Sequence, residues 1–528
     1  MRRRYWIAGF YGAALLLLSV VAIGLAVRAT HPLPSLEGRS APPALPDADA
    51  TRLGRAVQAE AALHPGLSGV HALPDPHEAF AARVMLARAA ERTLDIQYYI
   101  WRTDRSGSLL FQAIEEAADR GVHVRLLLDD NNTAGMDPLL AALDGHPNIE
   151  VRLFNPFALR SPRFIGYLTD FSRLNRRMHN KSFTADGQAT IIGGRNVGDE
   201  YFGATDGALF LDLDVLAVGP VATDVAHDFN RYWTSASAYP AERILPEAAA
   251  NEPVSLPAAS APEAAEYLEA IRTTRLVQSL VEGNLSMRWV PVRMVSDDPA
   301  KGLGAAVPEN LVTHKLAALL EQPRHTLGLA SGYFVPTKAG VAFFAAMERK
   351  GVEVSILTNA LEATDVAVVH AGYAKRRKAL LEAGITLHEI KASALGDDAL
   401  NLRFSGTVSG GSSSVLRGSG SVLHAKTFTV DDQRVFIGSF NFDPRSAHLN
   451  TEMGFLIESP DLARRVHEGL AEAMPLRSYE VRLDQDGSLY WLEQANGKTV
   501  RHETEPGTNA MQRGVIWLLS HLPIEWLL

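Results

Sequence analysis

The sequence predicts an α/β fold made of two similar halves that pack together around one active site. Three features support this prediction. The pattern His-x-Lys-x-x-x-x-Asp occurs twice, each time followed by Gly-x-x-Asn, and a strand–helix–strand unit precedes each copy. An apolar segment precedes both halves. Because the repeated features keep the same order, we interpret the chain as an internal duplication whose halves meet about a pseudo-twofold axis.

The chain begins with a long apolar segment. Residues 6–27 carry no charged side chain and follow Arg2-Arg3-Arg4. As a helix, this segment would extend about 33 Å, enough to cross a hydrocarbon core of about 30 Å. The arginines predict a cytoplasmic N-terminus, with the rest of the chain outside. We therefore expect residues 1–30 to form a transmembrane helix or a cleaved signal segment, and residues 31–76 to form a Pro/Ala-rich tether.

Each half then begins with a strand–helix–strand unit. In the first half, a strand near Thr93 precedes a helical stretch and the strand 122–128. The second half repeats this order from Thr326 to the strand 352–357. Such units pair their strands in parallel, so we expect mixed, largely parallel sheets. The predicted divisions are a first half over 77–238, a linker over 239–285, a second half over 286–475 and a C-terminal extension over 476–528.

The duplicated motif predicts phosphate chemistry. Histidine and lysine at positions i and i+2 of a strand share one face, which places an imidazole beside a positive charge. Histidine can attack phosphorus or carry a proton, and lysine binds phosphoryl oxygens. Because phosphodiester exchange needs a nucleophile and a proton donor on opposite sides of phosphorus, two facing copies supply both. The candidate catalytic residues are His179, Lys181, Asp186, His424, Lys426 and Asp431, although each aspartate could equally form a turn.

A glycine turn follows each motif. Asn196 and Asn441 lie at the same distance from their motifs, after a short apolar run. Backbone N–H groups at a turn that begins a helix, together with an asparagine amide, are suited to a phosphate oxygen. Ser439 precedes Asn441 by two positions, whereas Gly194 stands at the corresponding place in the first half.

These motifs resemble those of the phospholipase D superfamily. The flanking sequences Arg-Met-His-Asn-Lys-Ser-Phe from Arg177 and Asp-Pro-Arg-Ser from Asp443 resemble bacterial cardiolipin synthases of the C type. The resemblance implies that His179 is the nucleophile and His424 the general acid and base. It also implies a phosphate-binding set of Lys181, Asn196, Lys426, Ser439 and Asn441.

The family also places a carboxylate on the following strand to orient each histidine. Aligning the two halves puts Asp212 opposite Glu452, and both precede an apolar run. Asp214 is an alternative to Asp212, because the two residues share one face of a strand.

Composition narrows the substrate class. The net charge is −9, which argues against a nucleic-acid partner. The chain has no cysteine, which excludes disulfides and thiolate metal sites. No metalloprotease, Walker or dinucleotide motif is present, so we expect neither metal nor cofactor.

The resemblance then implies a phosphatidyltransferase of the bacterial inner membrane that makes cardiolipin or a related lipid. Its expected substrates are phosphatidylglycerol and possibly phosphatidylethanolamine. A phospholipase D-type hydrolase that releases phosphatidic acid is the main alternative, and a nuclease or a non-catalytic lipid-binding scaffold is less favoured.

Two further segments have open interpretations. Five arginines alternate with aromatic residues before the first motif, as either a lipid-headgroup loop or an ordinary basic loop. They are Arg160, Arg163, Arg173, Arg176 and Arg177. The tail from Val515 to Leu528 is apolar but too short to span a bilayer, so it either packs on the body or lies in the membrane interface.

Overall fold

A computed structural model describes most of the chain. The described residues are 15, 19, 21–22, 24–205, 209–246, 262–282, 284–320, 323–392, 422–495 and 497–528. Much of the predicted anchor at residues 6–27 lies outside these ranges. Within them, no helix combines the length and apolarity needed to cross a bilayer.

The first half is built on one mixed sheet. Within the described ranges it has nine strands in the order β10-β1-β8-β6-β5-β2-β3-β4-β9. These strands are β1 Ser68–Leu73, β2 Thr93–Tyr98, β3 His123–Asp129, β4 Ile149–Phe154, β5 Ser182–Ala185, β6 Ala189–Gly193, β8 Asp214–Val218, β9 Ala238–Pro240 and β10 Arg288–Val290. Between β6 and β8, strand β7 (Phe210–Leu211) pairs with the second half instead.

The second half repeats this arrangement. In the part of the chain that the structure describes, its sheet has ten strands in the order β11-β18-β17-β16-β12-β13-β14-β19-β20-β21. These strands are β11 Val292–Ser296, β12 Thr326–Ser331, β13 Glu353–Asn359, β14 Thr386–Ile390, β16 Lys426–Val430, β17 Arg434–Gly438, β18 Met453–Glu458, β19 Ser478–Leu483, β20 Leu489–Ala495 and β21 Lys498–His502. Strand β15 (Val422–Leu423) pairs in parallel with β7.

The two sheets have equivalent cores but are not largely parallel. The order β1-β8-β6-β5-β2-β3-β4-β9 corresponds strand by strand to β11-β18-β17-β16-β12-β13-β14-β19. Only β2–β3–β4 and β12–β13–β14 pair in parallel among the described strands of these sheets. The expectation of mostly parallel pairing is therefore wrong. Parallel strands require a long crossover, whereas the motif strands are joined by tight hairpins that must be antiparallel.

Helices cover the sheets and connect the strands. In the first half they are Arg52–Ala61, Pro76–Ala89, Arg105–Asp119, Asp137–Asp144, Phe164–Thr169, Phe171–Leu174, Asp199–Phe202, Pro220–Trp233, Pro262–Arg272 and Arg275–Val281. In the second half they are Val312–Leu320, Thr337–Glu348, Ala367–Ala374, Arg377–Glu382, Pro444–His448, Pro460–Arg477 and Ala510–Ser520. Short 3-10 turns lie at Ala48–Ala50, Asp130–Asn132, Ala241–Arg243, Pro299–Leu303, Pro308–Asn310, Leu361–Ala363 and Glu525–Leu527.

Several elements join the sheets outside the predicted divisions. Strand β1 lies in the predicted tether, yet it pairs with both β8 and β10. Residues 262–281 of the predicted linker form helices that bury Tyr267, Ile271 and Leu276 against the first half. The C-terminal residues 478–502 extend the second sheet. Short strands and amphipathic helices gain most of their stability from tertiary packing, which local sequence does not reveal.

The halves pack through the strands that follow each motif. Apolar side chains of β6 and β8 interdigitate with those of β17 and β18 to form a buried cluster. Its main members are Val70, Ile192, Val215, Ala217, Val435, Ile437, Met453, Phe455 and Ile457. Each buried aliphatic or aromatic side chain contributes about 1.5–3 kcal/mol, so this cluster fixes the two motifs relative to one another.

Candidate active site

The two histidines lie where segments of opposite halves run side by side. The N–H of His179 donates to the carbonyl of Thr451 at 2.9 Å. In the equivalent place, the N–H of His424 donates to the carbonyl of Leu211 at 2.8 Å, just beyond the β7–β15 pair. Each histidine is therefore positioned by the backbone of the other half.

The carboxylates next to these backbone contacts bind the histidine rings. Nδ1 of His179 lies 2.9 Å from Oε2 of Glu452. Nδ1 of His424 lies 2.6 Å from Oδ2 of Asp212. All four side chains are buried. The sequence proposed both carboxylates, but it did not reveal that the halves exchange them. Since each Nδ1 is engaged, Nε2 is the ring atom that can meet phosphorus or carry a transferred proton.

A lysine accompanies each histidine in a buried position. The ammonium group of Lys181 donates to the carbonyl of His179 at 2.6 Å, and that of Lys426 donates to the carbonyl of His424. Burial lowers the pKa of Lys181 well below its ordinary value. Burial also lowers the pKa of Lys426, to about 8, although the charge of Asp212 opposes this shift. Burial thus disfavours the charged form of both lysines, and an anionic phosphate would stabilise it.

The two dyads differ electrostatically. Burial raises the pKa of Glu452 to about 7, even though the charge of Lys181 acts in the opposite direction. Burial raises the pKa of Asp212, but the hydrogen bond with His424 and the nearby positive charges, including that of Lys426, together outweigh burial and lower the pKa to about 2. Asp212 is therefore the ionised carboxylate at neutral pH. A fixed negative charge at this position suits a histidine that must become protonated during the reaction.

Burial favours the neutral form of both imidazoles. Burial, followed by the charge of Lys181, lowers the pKa of His179 well below its ordinary value. Burial and the charge of Lys426 lower the pKa of His424 to about 3, although Asp212 raises it. A neutral imidazole is the nucleophilic form, so this environment suits attack on phosphorus.

Aromatic rings that the sequence analysis missed surround both histidines. The rings of Tyr99 and His179 pack edge to face, with their centroids 5.0 Å apart. Phe210 stacks on His424 at 5.2 Å, and Tyr201 and Tyr333 contact the same ring at 5.3 and 6.1 Å. Tyr99 and Tyr333 follow equivalent strands of the repeat, which could have indicated them. These rings exclude water from the reacting atoms.

The proposed phosphate-binding residues occupy different environments. Asn196 accepts from the N–H of Ile100 and donates to the hydroxyl of Tyr201 at 3.0 Å. Oδ1 of Asn441 is buried and has no hydrogen-bond partner among the described residues. Ser439 donates its hydroxyl to Glu452. Asn441 thus has an unused acceptor, whereas Ser439 supports the carboxylate that holds His179.

The motif aspartates do not contact the histidines. Asp186 accepts from the N–H groups of residues 91–93, immediately before β2. Asp431 accepts in the same way from residues 324–326 before β12. Asp186 and Asp431 also have left-handed backbones, with φ of 53° and 54°. Each occupies the first central position of a hairpin turn, where two successive positive φ values match the strand twist. Placing these aspartates among the catalytic residues is therefore corrected to a turn-forming role.

Asp214 also lies apart from the histidines. Its carboxylate binds the guanidinium of Arg83 at 2.8 Å and the N–H of Arg195 at 3.2 Å. Of the two aspartates that share this strand face, Asp212 is therefore the one that contacts a histidine. The cause is local, because Asp212 lies just before the paired strand, which begins at Asp214.

Gly194 allows this approach. An added Cβ at Gly194 would lie 2.1 Å from Oδ1 of Asp212, far inside van der Waals contact. In the second half, Ser439 fills the corresponding space with a hydroxyl that binds Glu452. The two halves therefore hold their carboxylates differently: Gly194 leaves room for Asp212, and Ser439 binds Glu452.

Comparisons with known proteins agree with this geometry. A family model described as "Cardiolipin synthase, PLD-like domain" matches residues 84–233 and 316–474. The chain is also 49% identical over 481 residues to cardiolipin synthase C of Escherichia coli (strain K12), which covers 90% of this chain and 100% of that protein. The chain belongs to the phospholipase D superfamily, in the cardiolipin synthase type.

More distant relatives place this superfamily member in context. The chain is 24% identical over 403 residues to a cardiolipin synthase of Geobacillus thermodenitrificans (strain NG80-2), covering 75% of this chain and 64% of that protein. The crystal structure of phosphatidylserine synthase from Haemophilus influenzae Rd KW20 has a TM-score of 0.57 at 15% identity, over 89% of this chain and 100% of that one. This likeness shows that the two-half phospholipase D fold is shared.

Proposed function

We propose that the protein is a membrane-bound phosphatidyltransferase that makes cardiolipin or a related phospholipid through a phosphohistidine intermediate. The observation that carries this proposal is the pair of exchanged contacts, His179 with Glu452 and His424 with Asp212. Two buried lysines accompany them. The relatives named cardiolipin synthase support a phospholipid as the substrate.

In the first half-reaction, Nε2 of neutral His179 attacks the phosphorus of a donor phospholipid. A nitrogen–phosphorus bond forms while the bond from phosphorus to the headgroup oxygen breaks. His424 gives its proton to the departing alcohol. The negative charge of the bound phosphodiester raises the pKa of His424, and ionised Asp212 stabilises the resulting imidazolium. Lys181 and Lys426 offset the charge on the phosphoryl oxygens.

In the second half-reaction, neutral His424 removes a proton from an acceptor hydroxyl. The acceptor oxygen bonds to phosphorus, and the bond to Nε2 of His179 breaks. With phosphatidylglycerol as both donor and acceptor, the products are cardiolipin and glycerol. Phosphatidylethanolamine as donor would release ethanolamine instead. If water replaced the acceptor, the product would be phosphatidic acid.

The aromatic surroundings favour transfer over hydrolysis. Phe210, Tyr201 and Tyr333 cover His424, the residue that must activate the acceptor. An acceptor with an apolar body can displace the remaining water from such a surface, whereas water gains nothing there. We therefore place the lipid hydroxyl acceptor on the His424 side.

We also propose that residues 6–27 anchor the chain in the bacterial inner membrane, with the catalytic halves outside the cytoplasm. Arg2-Arg3-Arg4 before 22 apolar residues support this orientation. Protease treatment of intact spheroplasts tests it. Digestion of the catalytic halves without lysis is expected, and protection until lysis would contradict the topology.

Mass spectrometry of lipids tests the reaction itself. Purified full-length enzyme is incubated with phosphatidylglycerol, with and without phosphatidylethanolamine. Cardiolipin is the expected product, whereas phosphatidic acid alone would support the hydrolase. His179→Ala should abolish the covalent adduct, and His424→Ala should slow its formation or trap it. Undiminished activity in either variant would contradict the assigned roles.

A further inference from the structure

Exposed apolar side chains are concentrated in three segments. Among the described residues, 17 large apolar side chains are exposed, and 11 of them belong to these segments. The N-terminal segment contributes Leu15, Val21 and Leu25; residues 164–174 contribute Phe164, Leu168 and Phe171; and residues 511–526 contribute Met511, Trp517, Leu518, Leu522 and Trp526. The remaining six are scattered through both halves, so this distribution is not an even scatter over the surface.

The three segments are joined in the fold. Gly24 lies against residues 168–169, since an added Cβ there would be 3.6 Å from Cγ2 of Thr169. Arg445 bridges the residues that directly follow the other two segments. Its guanidinium donates to the carbonyl of Asn175 at 2.8 Å and to that of Leu527 at 3.2 Å. Its N–H donates to the carbonyl of Leu528. We call the exposed apolar side chains of residues 164–174 and 511–526 the apolar face, which the N-terminal segment meets at Gly24.

The apolar face borders the His179 side of the active site. The hydroxyl of Tyr167 donates to Asn131 at 2.7 Å. The next residue, Asn132, donates to the carbonyl of Tyr99 at 3.1 Å. Tyr99 in turn contacts His179. A short chain of contacts therefore leads from the face to the nucleophile.

The arginines of the same segment are bound within the protein. Arg160, Arg163, Arg173 and Arg177 form ion pairs with Asp130, Asp137, Asp170 and Asp129, and Arg176 donates to the carbonyl of Ser172. These contacts favour an ordinary basic loop over a loop whose arginines bind lipid headgroups. The neighbouring apolar residues are exposed. Carboxylates therefore neutralise four of these five arginines, and the exposed side chains of the face are mainly apolar and aromatic.

We propose that the apolar face docks on the surface of a lipid bilayer and holds the His179 side of the site at the level of the headgroups. Indole rings favour the bilayer interface, where an apolar body and a polar N–H are both satisfied. Gly24 of the N-terminal apolar segment lies against residues 168–169 of the face. The proposal rests on the proposed function only for the identity of the lipid. Because four of the five arginines before the first motif are paired with carboxylates, docking is expected to depend more on apolar contact than on salt or anionic lipid.

Charge substitutions on the face test the proposal in the full-length enzyme. Trp517 and Trp526 are 64% and 59% exposed, so their replacement by aspartate leaves the core intact. The Trp517→Asp/Trp526→Asp variant should lose about tenfold or more of the wild-type rate on phosphatidylglycerol in vesicles, because charges resist entry into the interface. Its rate on monomeric short-chain phosphatidylglycerol should stay within about twofold of wild type, because no docking is needed there.

The matched control is Leu63→Asp/Val281→Asp, whose positions are 71% and 83% exposed and lie outside the face. It should keep both rates. An unchanged vesicle rate in the Trp517→Asp/Trp526→Asp variant would overturn the proposal, and so would an equal loss on both substrates. A change of oligomeric mass confined to this variant in ultracentrifugation would also overturn it, because the face would then be a contact between copies of the chain.

Fluorescence quenching separates docking from catalysis. Vesicles with brominated acyl chains should quench wild-type tryptophan emission, and the quenched part should shrink in Trp517→Phe and Trp526→Phe. Absence of that change would refute docking. If the wild-type enzyme made no cardiolipin from either substrate while the quenching was observed, the proposed function would fail and the docking face would stand.

Discussion

Replacing Gly194 by alanine is expected to disable the Asp212–His424 dyad while leaving the fold in place. The added Cβ would lie 2.1 Å from Oδ1 and 2.6 Å from Oδ2 of Asp212. Ordinary contact needs about 3.5 Å, so the carboxylate must move by roughly 1 Å or more. Such a movement breaks the 2.6 Å contact between Asp212 and Nδ1 of His424.

The size of the effect follows from that contact. A hydrogen bond to a charged group contributes about 1.5–3 kcal/mol, which corresponds to about a 10- to 150-fold loss of rate. Gly469→Ala serves as the matched control, because nothing lies within 4 Å of its added Cβ and it sits in the helix Pro460–Arg477. That variant should keep the wild-type rate, and its melting temperature should be unchanged or slightly higher because alanine favours the helix.

Comparing two leaving groups tests whether the loss of rate in Gly194→Ala arises from His424. In quenched-flow experiments, Gly194→Ala should form the covalent adduct slowly with phosphatidylglycerol, whose glycerol must be protonated as it leaves. A phosphatidyl ester of p-nitrophenol departs as the anion and needs no proton, so adduct formation should recover while later turnover stays slow. An equal loss with both donors, or no loss with either, would refute the coupling of Gly194 to proton transfer.

Three further outcomes follow from contacts in the structure. Asp129 accepts from the N–H of the residue before His179, just as Asn359 accepts from the N–H of the residue before His424. Asp129→Asn should therefore keep most activity and Asp129→Leu should lose it, which measurement of kcat and KM checks. For Lys426, whose pKa is lowered to about 8, kcat/KM should fall as pH rises above that value and the ammonium loses its proton, and Lys426→Arg should move the fall to higher pH. Arg83→Met leaves the buried carboxylate of Asp214 without its ion-pair partner, so the free energy of unfolding measured in urea should fall by about 3–5 kcal/mol. Adding Asp214→Leu should largely restore it.

The duplication made much of this molecule predictable. Two strand–helix–strand units and two motifs at matching spacing indicated two α/β halves, and the family membership and mixed sheets confirm that prediction. Only the crossover strands are parallel, since the hairpins at Asp186 and Asp431 reverse the chain. A two-residue turn leaves no room for a crossover, so the expectation of largely parallel sheets was wrong.

The exchange of carboxylates could not be predicted from sequence. Aligning the halves identified Asp212 and Glu452, but it compares positions within each half and says nothing about contacts between halves. The choice between Asp212 and Asp214 was open for a similar reason. Both residues would face the same side of a strand, but in the structure Asp212 lies before the paired strand and Asp214 binds the buried Arg83. Likewise, strand β1 is too short and weakly patterned to stand out from the Pro/Ala-rich residues before it.

Sharing carboxylates across the seam makes the enzyme indivisible. An isolated half would contain one histidine and one carboxylate that belong to different pairs. It would therefore lack a complete catalytic dyad. The two carboxylates need not be held in the same way, because Gly194 makes room for Asp212 whereas Ser439 binds Glu452.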